Sequence, residues 1–282
     1  MMIRNPAVAG TFYPASSAEL ASKIKGFLEG KPKGKAVGLV SPHAGYAYCG
    51  RQMAAAHAAA AKSDFETAVI LGPNHMGLGP DIASSEGLWK TPLGSASIDD
   101  DFVKELGVPV DAAAHSAEHS IEVQLPWLQA LSASRSSRFF RFVPIAIKRS
   151  AYTKDNCKAL GENIAEAAAK LKRKIIVIAS SDFTHYGKAY GYAPFTGTQG
   201  QVLKKIKEMD MEVAGYAAKL MPERLMEVCS ERTVCGYGPI AAMLWAAKRL
   251  GGTEGELLDY STSFETSRDS RAIVGYCAVA LR

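Results

Sequence analysis

Residues 176–187 read IVIASSDFTHYG, an apolar run of strand length that ends in a turn of polar residues. The same design occurs in residues 37–45, VGLVSPHAG, and in residues 68–77, AVILGPNHMG. Each apolar run leads into a turn of small residues or proline that carries a histidine. In an open parallel sheet such turns meet, because the carboxyl ends of the strands line one edge. We therefore expect these three segments to determine both the fold and the position of the functional site.

Longer amphipathic segments separate the strand-like runs along the rest of the chain. Strands are predicted at 36–40, 67–71, 139–147, 175–179, 257–264 and 272–281. Helices are predicted at Ser17–Leu28, 50–62, 153–171, 199–220, Pro222–Cys229 and 239–250. The order strand, helix, strand is typical of right-handed parallel crossovers. The pattern predicts an α/β fold with a mostly parallel central sheet, flanked by helices and closed by the last two strands.

No linker rich in proline, glycine or serine divides this pattern. A chain of 282 residues can form one large domain or two small ones. The serine-rich stretch 131–137 is short enough to be a surface turn. We therefore expect a single domain over residues 1–282.

Composition excludes several classes of protein. The chain is 48% hydrophobic and 22% charged, with 33 basic and 28 acidic residues spread along its length. Short basic runs at 31–35 and 172–174 are typical of solvated strand edges, so no nucleic-acid partner is expected. The sequence shows neither the pattern of a signal peptide nor an apolar run of membrane-spanning length, so no membrane partner is expected. Five scattered cysteines without a CxxC pair favour the reducing cytoplasm.

Four polar side chains are expected at the carboxyl edge of the sheet: His43, His75, Asp182 and His185. Neutral imidazole is the commonest metal ligand, and two imidazoles with one anion leave coordination positions open for substrate. The anion is either Asp182 or Cys235, which lies in TVCGYGP at 233–239. Glycines beside Cys235 let the backbone approach a ligand, and the following helix favours a thiolate.

The segment 118–126, EHSIEVQLP, has two interpretations. It is typical of a helix start, and it could equally place His119 or Glu122 behind a ligand imidazole. A structural role is predicted for the remaining histidines and cysteines: His57, His115, Cys49, Cys157, Cys229 and Cys277.

Six motifs occur in a characteristic order: GTFYP at 10–14, SPHAGYAYCG at 41–50, LGPNHMG at 71–77, EHSIEVQLP at 118–126, SSDFTHYG at 180–187 and VCGYGPI at 234–240. In order and spacing they resemble the Memo family, over residues 5–281. That family is similar in turn to the class III extradiol dioxygenases, which are non-haem iron enzymes with an α/β fold. The resemblance implies a crevice that holds a metal.

Carried over residue by residue, the resemblance implies that His43, His75 and Cys235 face the metal, with Asp182 and His185 in the same pocket. His185 then corresponds to a catalytic acid/base histidine. The dioxygenases have a glutamate where this chain has Cys235. Thiolate is a softer ligand than carboxylate, so copper or zinc compete better with iron for this site. The oxygen activation and ring cleavage of the dioxygenases are therefore less expected here.

The resemblance also implies roles that range from redox chemistry to an adaptor that binds phosphorylated peptides. In microbes such chains are often encoded beside a radical SAM protein, which implies a shared pathway.

Three hypotheses follow. In the first, a metalloenzyme holds iron or copper, and Asp182 positions His185 as the proton carrier. In the second, Cys235 is a metal-free nucleophile with His185 as its base. In the third, the crevice performs no chemistry and binds a small molecule, a peptide or a phosphorylated partner, through nearby aromatic residues: Tyr13, Tyr46, Tyr48, Tyr186 and Trp89.

Overall fold

The structure is a computed structural model, and it describes residues 2–133 and 140–282. Its strands form one sheet: β1 (Ile3–Arg4), β2 (Gly38–Ser41), β3 (Thr67–Pro73), β4 (Ile82–Ala83), β5 (Leu88–Thr91), β6 (Gly94–Ile98), β7 (Arg141–Ile147), β8 (Ile175–Ser180), β9 (His185–Tyr186), β10 (Gly255–Thr262) and β11 (Ile273–Leu281). Residue 139 of the predicted strand at 139–147, and residues 134–137 of the predicted turn, lie outside the described residues.

The sheet is mixed, and its centre is parallel. The strand order is β1-β5-β6-β7-β3-β8-β2-β11-β10, and pairing is parallel from β6 through β2. Antiparallel pairs flank this centre, with β11 and β10 at one end and β5 against β6 near the other. The prediction of a largely parallel sheet holds for the central strands. Its edges differ, because β5 and β6 form a hairpin, β11 runs antiparallel to both of its neighbours β2 and β10, and β1 adds to β5 in parallel.

Helices cover both faces of the sheet. They are α1 (Ser17–Leu28), α2 (Tyr46–Ala59), α3 (Asp100–Leu106), α4 (Ala113–Ser116), α5 (Leu125–Ala133), α6 (Lys154–Lys170), α7 (Gln199–Ala218), α8 (Pro222–Cys229), α9 (Tyr237–Arg249) and α10 (Phe264–Ser267). The helices α1 and α6 bury one side only, whereas α2 and α9 are buried on nearly all sides. Among the described residues, no helix has the length and apolar character needed to cross a bilayer.

The alternation of side chains along β11 shows the two layers. Tyr276 and Val274 belong to the apolar cluster formed with α1 and α2. Cys277 and Val279 belong to the larger cluster that includes α6, α7 and α9. Successive side chains of a strand point to opposite faces, so one strand serves both cores. The central strands are apolar throughout because they are covered on both sides.

Helix α2 begins earlier than the predicted 50–62. It starts at Tyr46, directly after the turn that follows β2, so Gly50 lies inside the helix. A Cβ at Gly50 would lie 2.6 Å from the ring of Phe27 on α1. Glycine at this position therefore permits close helix packing and does not mark a helix boundary.

A second close approach, between α6 and α9, gives a test of the packing. A Cβ at Gly161 would lie 2.3 Å from the carbonyl oxygen of Ala242. We expect Gly161→Ala to lower the free energy of unfolding by about 1–3 kcal/mol, despite the higher helix propensity of alanine. The matched control is Gly215→Ala in α7, where nothing lies within 4 Å of the added Cβ. We expect that control to stabilise by up to about 1 kcal/mol, and chemical denaturation measures both. Equal effects of the two substitutions would contradict this packing.

Candidate metal centre

Three turns at one edge of the sheet carry the polar side chains of the site. Strand β8 lies between β3 and β2, with Ser41 paired to Ser180 and Leu71 paired to Ala179. The strands therefore end side by side. His43 and His75 follow β2 and β3 by two residues each, and Asp182 follows β8. The chain then turns into β9, which pairs with β11 and places His185 against Val274.

His43, His75 and Cys235 come together at this edge. One potential ligand atom from each lies within 4.8 Å of those of the other two. The Cys235 Sγ lies 3.3 Å from the His43 Nε2. His43 is buried, whereas the side chain of His75 is 34% exposed. The cluster thus has a closed side at His43 and an accessible side at His75.

Hydrogen bonds determine which nitrogen of His43 carries its proton. Ser180 donates its only hydroxyl proton to the Ser120 carbonyl at 2.6 Å, so its oxygen can only accept from its other partners. One partner is the Gln124 amide at 2.9 Å, and the other is the His43 Nδ1 at 3.2 Å. The proton is therefore on Nδ1, and the lone pair of Nε2 faces Cys235. Burial, and then the neighbouring imidazoles, lower the pKa of His43 well below its usual value.

Glu118 determines which nitrogen of His75 carries its proton. Its Oε1 lies 3.0 Å from the His75 Nδ1, and its Oε2 accepts from the backbone N–H of His75 at 2.6 Å. Burial raises the pKa of Glu118, but the hydrogen bond and charge of His75 outweigh this and lower the pKa to about 2. An ionised carboxylate only accepts, so the His75 Nδ1 carries a proton, and in the neutral ring the lone pair is then on Nε2. A carboxylate behind a ligand imidazole is the usual support of a metal-binding histidine.

The role of Glu118 can be tested by replacing it with glutamine. The Oε1 of Glu118 also accepts from the backbone N–H groups of His119 and Ser120, both at 2.9 Å. An amide cannot accept at both of its ends, so Glu118→Gln leaves one donor opposed by an NH₂ group. We expect metal affinity to fall about 10- to 100-fold, measured by competition with a chromophoric chelator. Unchanged affinity in a folded variant would show that His75 does not depend on this support.

Cys235 is held ahead of α9, as expected, but its surroundings differ from the prediction. A Cβ at Gly236 would lie 2.7 Å from the Ser180 carbonyl oxygen, and one at Gly238 would lie 2.4 Å from the Tyr152 ring. These glycines therefore admit neighbouring protein atoms, and the expectation that they admit a ligand was wrong. Burial, and then the charge of Asp182, raise the pKa of the Cys235 thiol, contrary to the expectation of a favoured thiolate.

His185 lies at the cavity, but Asp182 does not orient it by a hydrogen bond. The His185 Nδ1 points at the carbonyls of Phe183, at 2.9 Å, and Thr233, at 3.0 Å. Carbonyls only accept, so this nitrogen carries the proton and Nε2 is a free acceptor. Asp182 instead accepts from the backbone N–H of His43 at 2.8 Å. The predicted positioning of His185 by Asp182 is corrected accordingly: Asp182 holds the His43 turn.

A cavity of about 530 Å³ opens over the cluster, with His43, His75, Asp182 and His185 in its lining. Of the aromatic residues predicted to surround it, Tyr48 alone lines it among the described residues. Tyr13, Tyr46 and Trp89 are buried in the core, and Tyr186 packs on Phe195. Sequence reasoning missed three aromatic residues that do line the cavity: Phe12, Tyr190 and Tyr276.

The 118–126 segment combines both of its predicted roles, but on different residues. Glu122 is structural: it pairs with Arg4 at 2.7 Å and accepts from the Tyr13 hydroxyl at 2.5 Å. His119 lines the cavity and stacks on His75, with ring centroids 4.9 Å apart. The residue behind a ligand imidazole is Glu118. Nothing in the local sequence of 118–126 separated Glu118 from Glu122.

The side chains predicted to be structural lie outside the cavity lining. His57 and His115 are buried, and burial lowers the pKa of each to about 4. The His57 Nε2 bonds the Gln124 Oε1 at 2.9 Å, so His57 steadies the amide that holds Ser180. The other cysteines are buried free thiols: Cys49, Cys157, Cys229 and Cys277.

The fold and the cluster together define a class: an α/β protein with two imidazoles and a thiol gathered at the carboxyl edge of its sheet. A family model described as Memo-like protein matches residues 4–280. The MEMO1 family proteins of Pyrococcus abyssi and Thermococcus kodakarensis are 41% and 38% identical to this chain, over the full length of both chains compared. That of Methanosarcina barkeri is 40% identical over 98% of this chain and 99% of its own. The chain belongs to the Memo family.

Proposed function

We propose that this protein is a metal-dependent oxidoreductase of the non-haem type, with a dioxygenase-like crevice. The observation that carries the proposal is the donor set beside the cavity. His43 and His75 each have their Nδ1 proton committed to an acceptor, which leaves two Nε2 lone pairs and the Cys235 sulfur near one point. These residues fit a metal ion, because both imidazoles are held in the form that can bind one.

His43, His75 and Cys235 would hold the ion, and the donor chemistry narrows its identity. Imidazole suits iron, copper and zinc alike, while thiolate favours the softer ions. We propose iron or copper, with zinc as the competitor. When bound, such an ion supplies Lewis acidity and one-electron redox chemistry.

His185 is the proposed proton carrier. Its Nε2 is an acceptor at the cavity, since Nδ1 is bonded to two carbonyls. A substrate hydroxyl or amine could therefore transfer its proton to Nε2. Asp182 contributes by holding the backbone of His43, and burial raises the pKa of its carboxyl group, which also lines the cavity.

Metal titration of untagged, anaerobically prepared protein tests this proposal. We expect one equivalent of iron(II), copper(I) or zinc(II) to bind, and a reversible one-electron wave in voltammetry of the iron or copper form. The zinc form is the matched redox-silent control. Failure to bind any of the three ions, or an iron and a copper form that are both redox-inactive, would refute the oxidoreductase.

A second candidate is a binding protein that performs no chemistry. The exposed side chains of Tyr48 and Tyr190 at the cavity favour it, because they offer apolar contact area to a peptide. No lysine or arginine lines the cavity among the described residues, which argues against a phosphorylated ligand. The thiol hypothesis has less support, since the imidazole beside the Cys235 sulfur is that of His43, not that of the expected base His185.

The partner and the compartment stay predictions. We propose a cytoplasmic site of action, since all five cysteines are free thiols, as a reducing compartment would keep them. A radical SAM pathway partner is proposed on the family resemblance alone.

A further inference from the structure

Tyr276 is a buried residue whose hydroxyl has no hydrogen-bond partner among the described residues. The residue is 2% exposed, lies on β11 and lines the cavity over the metal cluster. Its hydroxyl makes no hydrogen bond within residues 2–133 and 140–282. The hydroxyl is also absent from the fully enclosed unpaired atoms of the described residues, so it has access to the cavity. A hydroxyl that bonds no protein group and reaches a cavity can donate a hydrogen bond to a ligand that enters the cavity.

Two other tyrosines of the same apolar cluster have hydroxyl groups that are hydrogen-bonded inside the protein. The Tyr46 hydroxyl donates to the Val123 carbonyl at 2.7 Å, and the Tyr13 hydroxyl donates to Glu122 at 2.5 Å. Tyr276 packs its ring in this cluster like the other two. Its hydroxyl differs, because it bonds no described protein group and can bond a ligand in the cavity.

The surroundings of Tyr276 limit the chemistry of that occupant. The lone pair of the His185 Nε2 and the carboxylate of Asp182 are acceptors, whereas the Tyr276 hydroxyl can donate. The aromatic side chains of Phe12, Tyr48 and Tyr190 line the same cavity and offer apolar faces to a planar group. A hydroxyl group on an apolar body satisfies both kinds of partner, since it accepts one hydrogen bond and donates another.

We infer that the Tyr276 hydroxyl is a ligand-recognition group of the cavity, and that it donates a hydrogen bond to an oxygen atom of a planar, hydroxyl-bearing organic ligand. This deepens the proposed function by assigning a ligand class to the same cavity. It can be tested without the metal, because Tyr276 and the aromatic residues of the cavity are not among the candidate metal ligands.

Two probes and two variants test the inference on metal-free protein, with fluorine NMR as the readout. The probes are 4-fluorophenol and fluorobenzene, which differ by the hydroxyl group. Wild-type protein is expected to bind 4-fluorophenol more tightly. Tyr276→Phe should weaken 4-fluorophenol binding roughly three- to tenfold, the effect of one hydrogen bond, and leave fluorobenzene binding unchanged. Because the hydroxyl has no internal partner, the melting temperature of Tyr276→Phe should not fall.

The matched control is Tyr46→Phe, which removes a hydroxyl that is bonded inside the protein. It should lower the melting temperature and leave the preference for 4-fluorophenol intact. Three results would overturn the inference: equal binding of the two probes by wild-type protein, an equal loss of both probes in Tyr276→Phe, or an unchanged preference in that variant. Since no metal is present, none of these results can arise from failure of the proposed oxidoreductase.

Discussion

Cys235→Ala is expected to lower metal affinity by more than about 100-fold, because it removes one of three candidate ligands. Loss of a residue that merely supports a ligand already costs about 10- to 100-fold, so loss of the ligand itself should cost more. The thiol is also the donor that favours softer ions, so copper should be affected more than iron. Competition against a chelator of known affinity measures both effects.

Two further substitutions sharpen this prediction. Cys49→Ala removes a buried thiol that bonds the Ala44 carbonyl outside the cluster, and should leave affinity unchanged. Cys235→Ser keeps the size of the side chain but replaces sulfur by oxygen, so it should shift the preference from copper toward iron. If Cys235→Ala bound copper as tightly as wild-type protein, Cys235 would not be a ligand.

His185→Gln is expected to separate metal binding from reactivity. The His185 Nε2 is the proposed proton acceptor, and loss of a general acid or base typically lowers kcat about 100- to 10,000-fold. Metal content should be unchanged, since the cluster is made of other side chains. The rate of oxygen uptake by copper- or iron-loaded protein, with ascorbate as reductant, is the readout.

The matched control for His185 is His115→Gln, which alters a buried imidazole that bonds the Ala83 carbonyl away from the cavity. It should retain the wild-type rate. Equal rates for His185→Gln and wild-type protein would show that His185 is not the proton acceptor. A parallel fall in metal content would instead give His185 a structural role in the cluster.

The parts of the site that the sequence predicts are those carried by strand ends. An apolar run followed by a polar turn gives both the strand and its carboxyl edge, so His43, His75 and Asp182 could be assigned to one crevice before any contact was known. Cys235 is different. It precedes a helix instead of following a strand, and the family resemblance was needed to choose it over Asp182.

The supporting residues were not predictable, because their roles depend on long-range contacts. Glu118 and His75 are separated by 43 positions, and Ser180 and His43 by 137. Nothing in the local pattern distinguishes Glu118, which holds a ligand imidazole, from Glu122, which pairs with Arg4. Tyr276 lies in an apolar strand, and only the missing partner of its hydroxyl separates it from a core residue. Hydrogen-bond geometry therefore identifies supporting residues that hydrophobic periodicity cannot identify.

X-ray absorption spectroscopy of zinc-loaded and iron-loaded protein tests the central claim most directly, since it counts the atoms around the ion. We expect one sulfur neighbour, at about 2.3 Å in the zinc form, together with imidazole nitrogens at about 2.0–2.1 Å. The sulfur contribution should be absent in Cys235→Ala and present in Cys49→Ala. A spectrum of wild-type protein with only nitrogen and oxygen neighbours would contradict a centre built from His43, His75 and Cys235.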